Sequence, residues 1–172
     1  MIKKGVLLIL LTFVLVACGY RISGRYTGLP EHIHIVAIPG FENQTLQPDL
    51  DQILTDAVKS EFIQRGPYRI VAAPEEADAV LKGSIKSFSL TPIGVKRQNV
   101  GTTFLVMIVV DVSFTDRKTG KVLFTNPDFI LREEYTFSER YVNFYLEEGP
   151  AINRAAREFA SSLTSTILES FK

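Results

Sequence analysis

The chain has no tryptophan, two histidines and one cysteine in 172 residues. A single thiol excludes an internal disulfide and any metal cluster built on cysteine. The two imidazoles, His32 and His34, stand two apart at a strand entrance with no paired acidic motif beside them. Solvated strand-end histidines are therefore the simpler reading, and no metal site is expected. Neither a Gly-x-Ser-x-Gly elbow, nor a phosphate-cradling glycine loop, nor a Cys/His pair occurs. Glu133 and Glu134 are adjacent, so a strand would send them to opposite faces, which is wrong for cooperating carboxylates. Net charge is missing too, with 19 basic against 19 acidic residues. That leaves no global electrostatic footprint for nucleic acid. The expectation is a protein that is not an enzyme, with no nucleic-acid partner.

What is present begins with Cys18. Lys3 and Lys4 precede an apolar run from Val6 to Val16, too short for a stable membrane-spanning helix. The run ends in Leu15-Val16-Ala17-Cys18, which resembles a bacterial lipobox. There the thiol carries diacylglycerol, cleavage follows at Ala17/Cys18, and the new amino terminus takes an N-acyl chain. Several acyl chains make a durable anchor where one does not. No other cofactor is implied. Glycine at position 19, in place of aspartate, favours onward transport to the outer membrane. The competing reading is an ordinary secretory signal with an incidental cysteine. The expected organisation is a signal peptide over 1–17, a lipidated N-terminus and tether over 18–31, and a single domain over 32–172. The mature part keeps 17 basic and 19 acidic residues, since Lys3 and Lys4 are lost. Its length suits one ordinary domain that needs no staples.

Gly19, Gly24, Gly28 and Pro30 punctuate the tether, which is either a free leash or docked through Tyr20, Ile22 and Tyr26. Ile33 to Ile38 reads as a buried strand closed by Pro39-Gly40. Thr45 is a plausible N-cap for a helix with Pro48 in its first turn, supported by Asp49 and Asp51. Leu50, Ile53, Leu54, Ala57, Val58 and Phe62 supply its apolar stripe, and Gly66-Pro67 stops it. Tyr68 to Ala72 is a short strand. From Val80 to Leu90 the apolar parity switches after Ile85, which predicts a bulge near Ser87. Thr103 to Asp116 is the strongest strand, and Asp116 to Gly120 turns it into Val122 to Phe124. Pro127 marks a bulge or an edge position. A last helix opens at Gly149-Pro150 and carries an apolar stripe from Ile152 to Phe171. The expected fold is α+β: two helices on one face of a mixed, mostly antiparallel sheet, a two-layer sandwich.

Two surfaces remain for function. The even positions from Phe104 to Phe114 are apolar, but so are Leu105, Met107 and Val109, before Asp111 and Ser113 turn polar. With the helices on one face, Leu105, Met107 and Val109 become partner-interface candidates unless the tether or a loop covers them. Lys96 and Arg97 stand in a glycine-flanked loop between two strands. They are either phosphate contacts or a solvated turn. Arg140 lies beside Tyr141, Phe144 and Tyr145, a cation among aromatics whose simpler reading is a staple for the last helix.

Several short runs, taken together, resemble the outer-membrane lipopolysaccharide-assembly lipoproteins of the LptE family. They are Cys18-Gly19-Tyr20, Leu29-Pro30, Ile38 through Thr45, Ala77 through Gly83, the hairpin from Asp116 to Leu123, and the alanine-rich final helix. The resemblance implies two helices against a four-stranded sheet, and a lipid-anchored plug inside a large β-barrel of the LptD kind, assisting its assembly and binding lipopolysaccharide. It also implies basic contacts to lipid A phosphates, carried by element order onto Lys96, Arg97 and Arg140. Residence would be the outer membrane, on its periplasmic side or within the barrel lumen. The stretch Val36 through Asn43 also looks like the start of secretion-pore subunits and cell-wall-synthase activators, a second reading.

Overall fold

A computed structural model describes residues 28–95, 102–137 and 144–171. The expected signal peptide, Cys18 and the tether up to residue 27 lie outside the described residues. So do Lys96, Arg97, Arg140 and Tyr141.

The elements run β1 (Ile35–Ala37), β2 (Glu42–Asn43), α1 (Leu50–Arg65), β3 (Arg69–Val71), a 3-10 turn (Pro74–Glu76), β4 (Ala79–Val95), β5 (Thr102–Asp116), β6 (Val122–Phe137) and α2 (Phe144–Glu169). They form one sheet in the order β3-β1-β4-β5-β6, with β2 on the same edge of β4 as β1 but further along it. The expected four strands are thus corrected to six, and the sheet is not mostly antiparallel by pairing. Three short strands pair in parallel with β1 or β4, while β4, β5 and β6 form an antiparallel meander. A two-residue strand such as β2 carries no periodicity to read, so it escapes any pattern argument.

The meander is long, with strands of 17, 15 and 16 residues, or about 50 Å each at about 3.3 Å per residue. Both helices cover one of its faces. Val106, Ile108, Val110, Val112 and Phe114 point inward and are fully buried. Leu50, Leu54, Val58 and Phe62 meet them from α1, and Ile152, Ala155, Phe159, Leu163 and Ile167 from α2. Ring contacts join the layers at Phe62–Phe114 (6.5 Å) and Phe129–Phe159 (5.5 Å).

Two bulges bend the meander at one level. β4 shifts register between Ile85 and Ser87, where the parity switch predicts it. β6 shifts opposite the Val110–Val112 step, where Asn126 faces Val112 and Phe129 faces Val110. Pro127 falls in that bulge on an edge strand, so its missing N–H costs no ladder bond.

Both helix starts differ from expectation. Asp49, not Thr45, is the N-cap residue of α1, with φ 58° and no side-chain capping bond. Thr45 is instead recruited by Asn43, whose Oδ1 accepts its N–H at 2.9 Å. Such local side-chain bonds divert Asn and Thr from capping. The final helix begins at Phe144, not at Gly149-Pro150, and Pro150 lies within it. Phe144 and Tyr145 therefore sit in its first turn. Pro150 is the seventh residue of the helix, past the orphan N–H groups of the first turn, so its missing N–H leaves the Leu146 carbonyl without its helical bond.

Candidate interaction surface

The site is built on the sheet face that no helix among the described residues covers. Because side chains alternate along a strand, burying Val106, Ile108 and Val110 sends Leu105, Met107 and Val109 outward. All three are half-buried there. The register places Thr91, Ser89 and Ser87 of β4 beside them, and Glu134, Arg132 and Ile130 of β6 on the other side. Opposite residues in an antiparallel pair share a face. The result is a central apolar strip with hydroxyls along one flank, and charge plus one exposed isoleucine along the other. Ile130 is 47 % exposed. The pattern alone could not assign Ile130 to this face, since the bulge at Pro127 inverts the parity of everything after it.

Beyond the bulges the same face turns polar. Asp111 and Ser113 follow Val109, and Lys86 Nζ reaches Asp128 Oδ1 across β5 at 3.2 Å. A shallow cleft of about 300 Å³ lies here, lined by Pro39, Glu42, Lys82, Ser84, Asp111 and Ser113 among others. It joins one cation to two carboxylates, and Ser84 Oγ donates to Glu42 Oε2 there at 3.4 Å. Among the described residues, no three His, Cys, Asp or Glu side chains gather as a metal site would need.

The first described residues are tied to the end of the meander that carries the Asp116 turn. His32 Nε2 lies 2.8 Å from Asp116 Oδ2. Asp116 is buried, and burial pushes its carboxyl up. Hydrogen bonds from the Thr119 hydroxyl, His32 and the backbone N–H groups of Thr119 and Lys118 outweigh that and bring it down to about 2. Gly120 completes the turn at φ 71°, a conformation that favours glycine. Beside it, Asp78 Oδ2 accepts the N–H groups of His34 and Ile35, each at 2.9 Å. Those two bonds hold its carboxyl below the ordinary range. His32 is thus a tie for the chain entering the domain, and His34 gives its backbone N–H to Asp78.

At the opposite end, Val95 pairs with Thr102, and Thr102 with Phe137. The segments that follow Val95 and Phe137 hold Lys96, Arg97 and Arg140, which lie outside the described residues. Topology therefore starts both basic segments from the same end of the sheet, about 50 Å from the His32 tie by strand length. A described cation near that end is Arg154, whose guanidinium sits 4.9 Å from the Tyr135 ring centroid. Burial, and then the Glu133 charge, push the Tyr135 phenol up.

The profile of the LptE family, described as lipopolysaccharide assembly, matches residues 33–167. No curated protein matches the chain. Several solved structures are similar to the chain at low identity. A Xanthomonas campestris protein is 10 % identical, with a TM-score of 0.52 over 80 % of this chain and 85 % of that one. The PelC dodecamer of Paraburkholderia phytofirmans is 16 % identical, with a TM-score of 0.47 over 78 % and 86 %. A minor lipoprotein of Acinetobacter baumannii is 12 % identical, with a TM-score of 0.46 over 81 % and 94 %.

Proposed function

The chain belongs to the LptE lipopolysaccharide-assembly family, and from that premise we propose that it is a non-catalytic, lipid-anchored plug of an outer-membrane β-barrel that inserts lipopolysaccharide. The open sheet face is the surface that meets the barrel wall. The observation that carries this reading is the strip of Leu105, Met107, Val109 and Ile130 on the face away from both helices. Apolar surface grouped in this way on a folded domain is the kind that partners bury. A lipid on Cys18 confines the domain to the membrane, so modest contacts suffice at high effective concentration. Lys96, Arg97 and Arg140 are the proposed contacts to lipid A phosphates, with arginine offering a bidentate fork.

A photo-crosslinking residue at Met107, in the full chain in outer membranes, tests the barrel contact. Capture of one large barrel protein is expected, and no capture from this face contradicts the reading. The pair Arg97→Asp and Arg140→Asp tests the substrate contact. Each should weaken lipopolysaccharide binding to the purified complex by about tenfold, and unchanged binding in both removes these residues from the site.

A further inference from the structure

The polar half of the open sheet face holds one negative charge more than its own side chains offset. At its centre is Asp111, half-buried on β5 between Ser84 of β4 and the β6 bulge. Among the described residues no ion pair or side-chain hydrogen bond reaches Asp111 or Lys82. Lys86 is engaged by Asp128 at 3.2 Å, and Glu42 accepts the Ser84 hydroxyl at 3.4 Å. Lys82 shares the cleft with Glu42 and Asp111, so it can offset one of those carboxylates and not both. The neighbouring charges among the described residues do not make up the difference. Arg132 lies beyond Val109, opposite Met107, and Glu134 follows opposite Leu105, so those two offset each other. Toward the Asp116 turn, Arg117 places its guanidinium on the Glu75 and Ala77 carbonyls, next to the acids Glu75 and Glu76.

While the face is open, water serves the surplus charge. A partner that covers Val109 also covers Asp111, since the two are successive residues on one face of β5, about 7 Å apart. Covering removes that water, and a buried charge without a partner is strongly unfavourable. The covering protein must therefore bring a positive group to this point. A divalent ion fits less well. Such ions take about six to eight oxygen ligands, and here two carboxylates share the cleft with a lysine. A guanidinium suits it, because its fork can meet a carboxylate while the Ser84 and Ser113 oxygens accept further N–H groups.

We infer that the protein covering the open sheet face inserts a basic side chain, arginine or lysine, into the cleft lined by Glu42 and Asp111. The inference rests on that reading of the face, and the test keeps the two apart. A photo-crosslinking residue is placed at Ser113, in the cleft, or at Met107, in the apolar strip, in the full lipidated chain in outer membranes. Asp111→Asn and Lys82→Gln are compared with the unaltered chain for the barrel protein that copurifies from detergent, with and without EDTA. The expected result is capture of one barrel protein from both positions. Asp111→Asn should retain about a tenth of it, whereas Lys82→Gln, which frees a second carboxylate for the incoming cation, should retain at least as much as the unaltered chain. Unchanged copurification of Asp111→Asn overturns the inference, as does a loss with Lys82→Gln. Release of the barrel by EDTA replaces the side chain with a bridging metal ion and also overturns it. Capture from Met107 but not from Ser113 overturns the cleft contact and leaves the sheet-face reading standing, while capture from neither removes both. Should Asp111→Asn unfold, capture from Ser113 and the Lys82→Gln comparison still decide.

Discussion

The ring of Phe41 occupies the space that a side chain on residue 83 would need. A Cβ built on Gly83 comes within 2.6 Å of two ring carbons, and Phe41 is itself buried. Glycine in mid-strand weakens a strand, and here it admits an aromatic ring to the sheet floor. Gly83→Ala is therefore expected to destabilise the domain by about 1–3 kcal/mol, the usual cost of overpacking. Adding Phe41→Leu to that variant should recover part of the loss. A double-mutant cycle by urea unfolding checks this, and additive effects would show that the two residues do not share the space.

Thr55 of α1 holds the Phe41 backbone in place. Its hydroxyl donates to the Asp51 carbonyl at 2.6 Å and accepts the Phe41 N–H at 2.9 Å. Thr55→Val keeps the shape but strands a buried N–H. A loss of about 1–3 kcal/mol is expected by chemical denaturation, while Thr55→Ser should lose clearly less.

Asp116 sets a pH dependence of defined sign. Its carboxyl is held at about 2 in the fold, against 3.8 as its ordinary value. A depressed acid adds stability that is fully present above the unfolded value and is lost as pH falls through the folded one. Stability should therefore decline from about pH 4 toward about pH 2. Asp116→Asn should be less stable at neutral pH and should show a shallower decline across that window. Acid titration followed by circular dichroism reads both.

Cys18→Ala removes the only thiol and with it the proposed acylation. Fractionated cells should then hold the chain uncleaved at residue 17 or outside the outer membrane, where the unaltered chain is cleaved and membrane-bound. An equal outer-membrane share for both forms would contradict the anchor.

Much of the domain is legible from side-chain periodicity, because burying one face imposes a period on every long element. The stripes of α1 and α2 and the inward residues of β5 follow from it, as does the bulge after Ile85. The short parallel strands do not, since Ile35–Ala37, Glu42–Asn43 and Arg69–Val71 are too brief to show a period. Thr45 misleads for a chemical reason: its hydroxyl oxygen accepts the Gln47 N–H in a local turn that ends before the helix, whose N-cap is Asp49. Pro150 misleads because proline usually marks a helix start and is costly further in, whereas here it is the seventh residue of the helix. Leu105, Met107 and Val109 were legible as an outward set, whereas Ile130 needed the bulge at Pro127 to be seen.

The central claim is that the uncovered sheet face binds the barrel. Copurification of the barrel protein with Met107→Asp and Val109→Asp variants tests it most directly, with Lys118→Asp, on the turn beyond Asp116, as the control. The account predicts that both face variants fold, keep their membrane anchor and lose most of the barrel, while the control retains it. Full retention of the barrel by both correctly folded face variants would contradict the account.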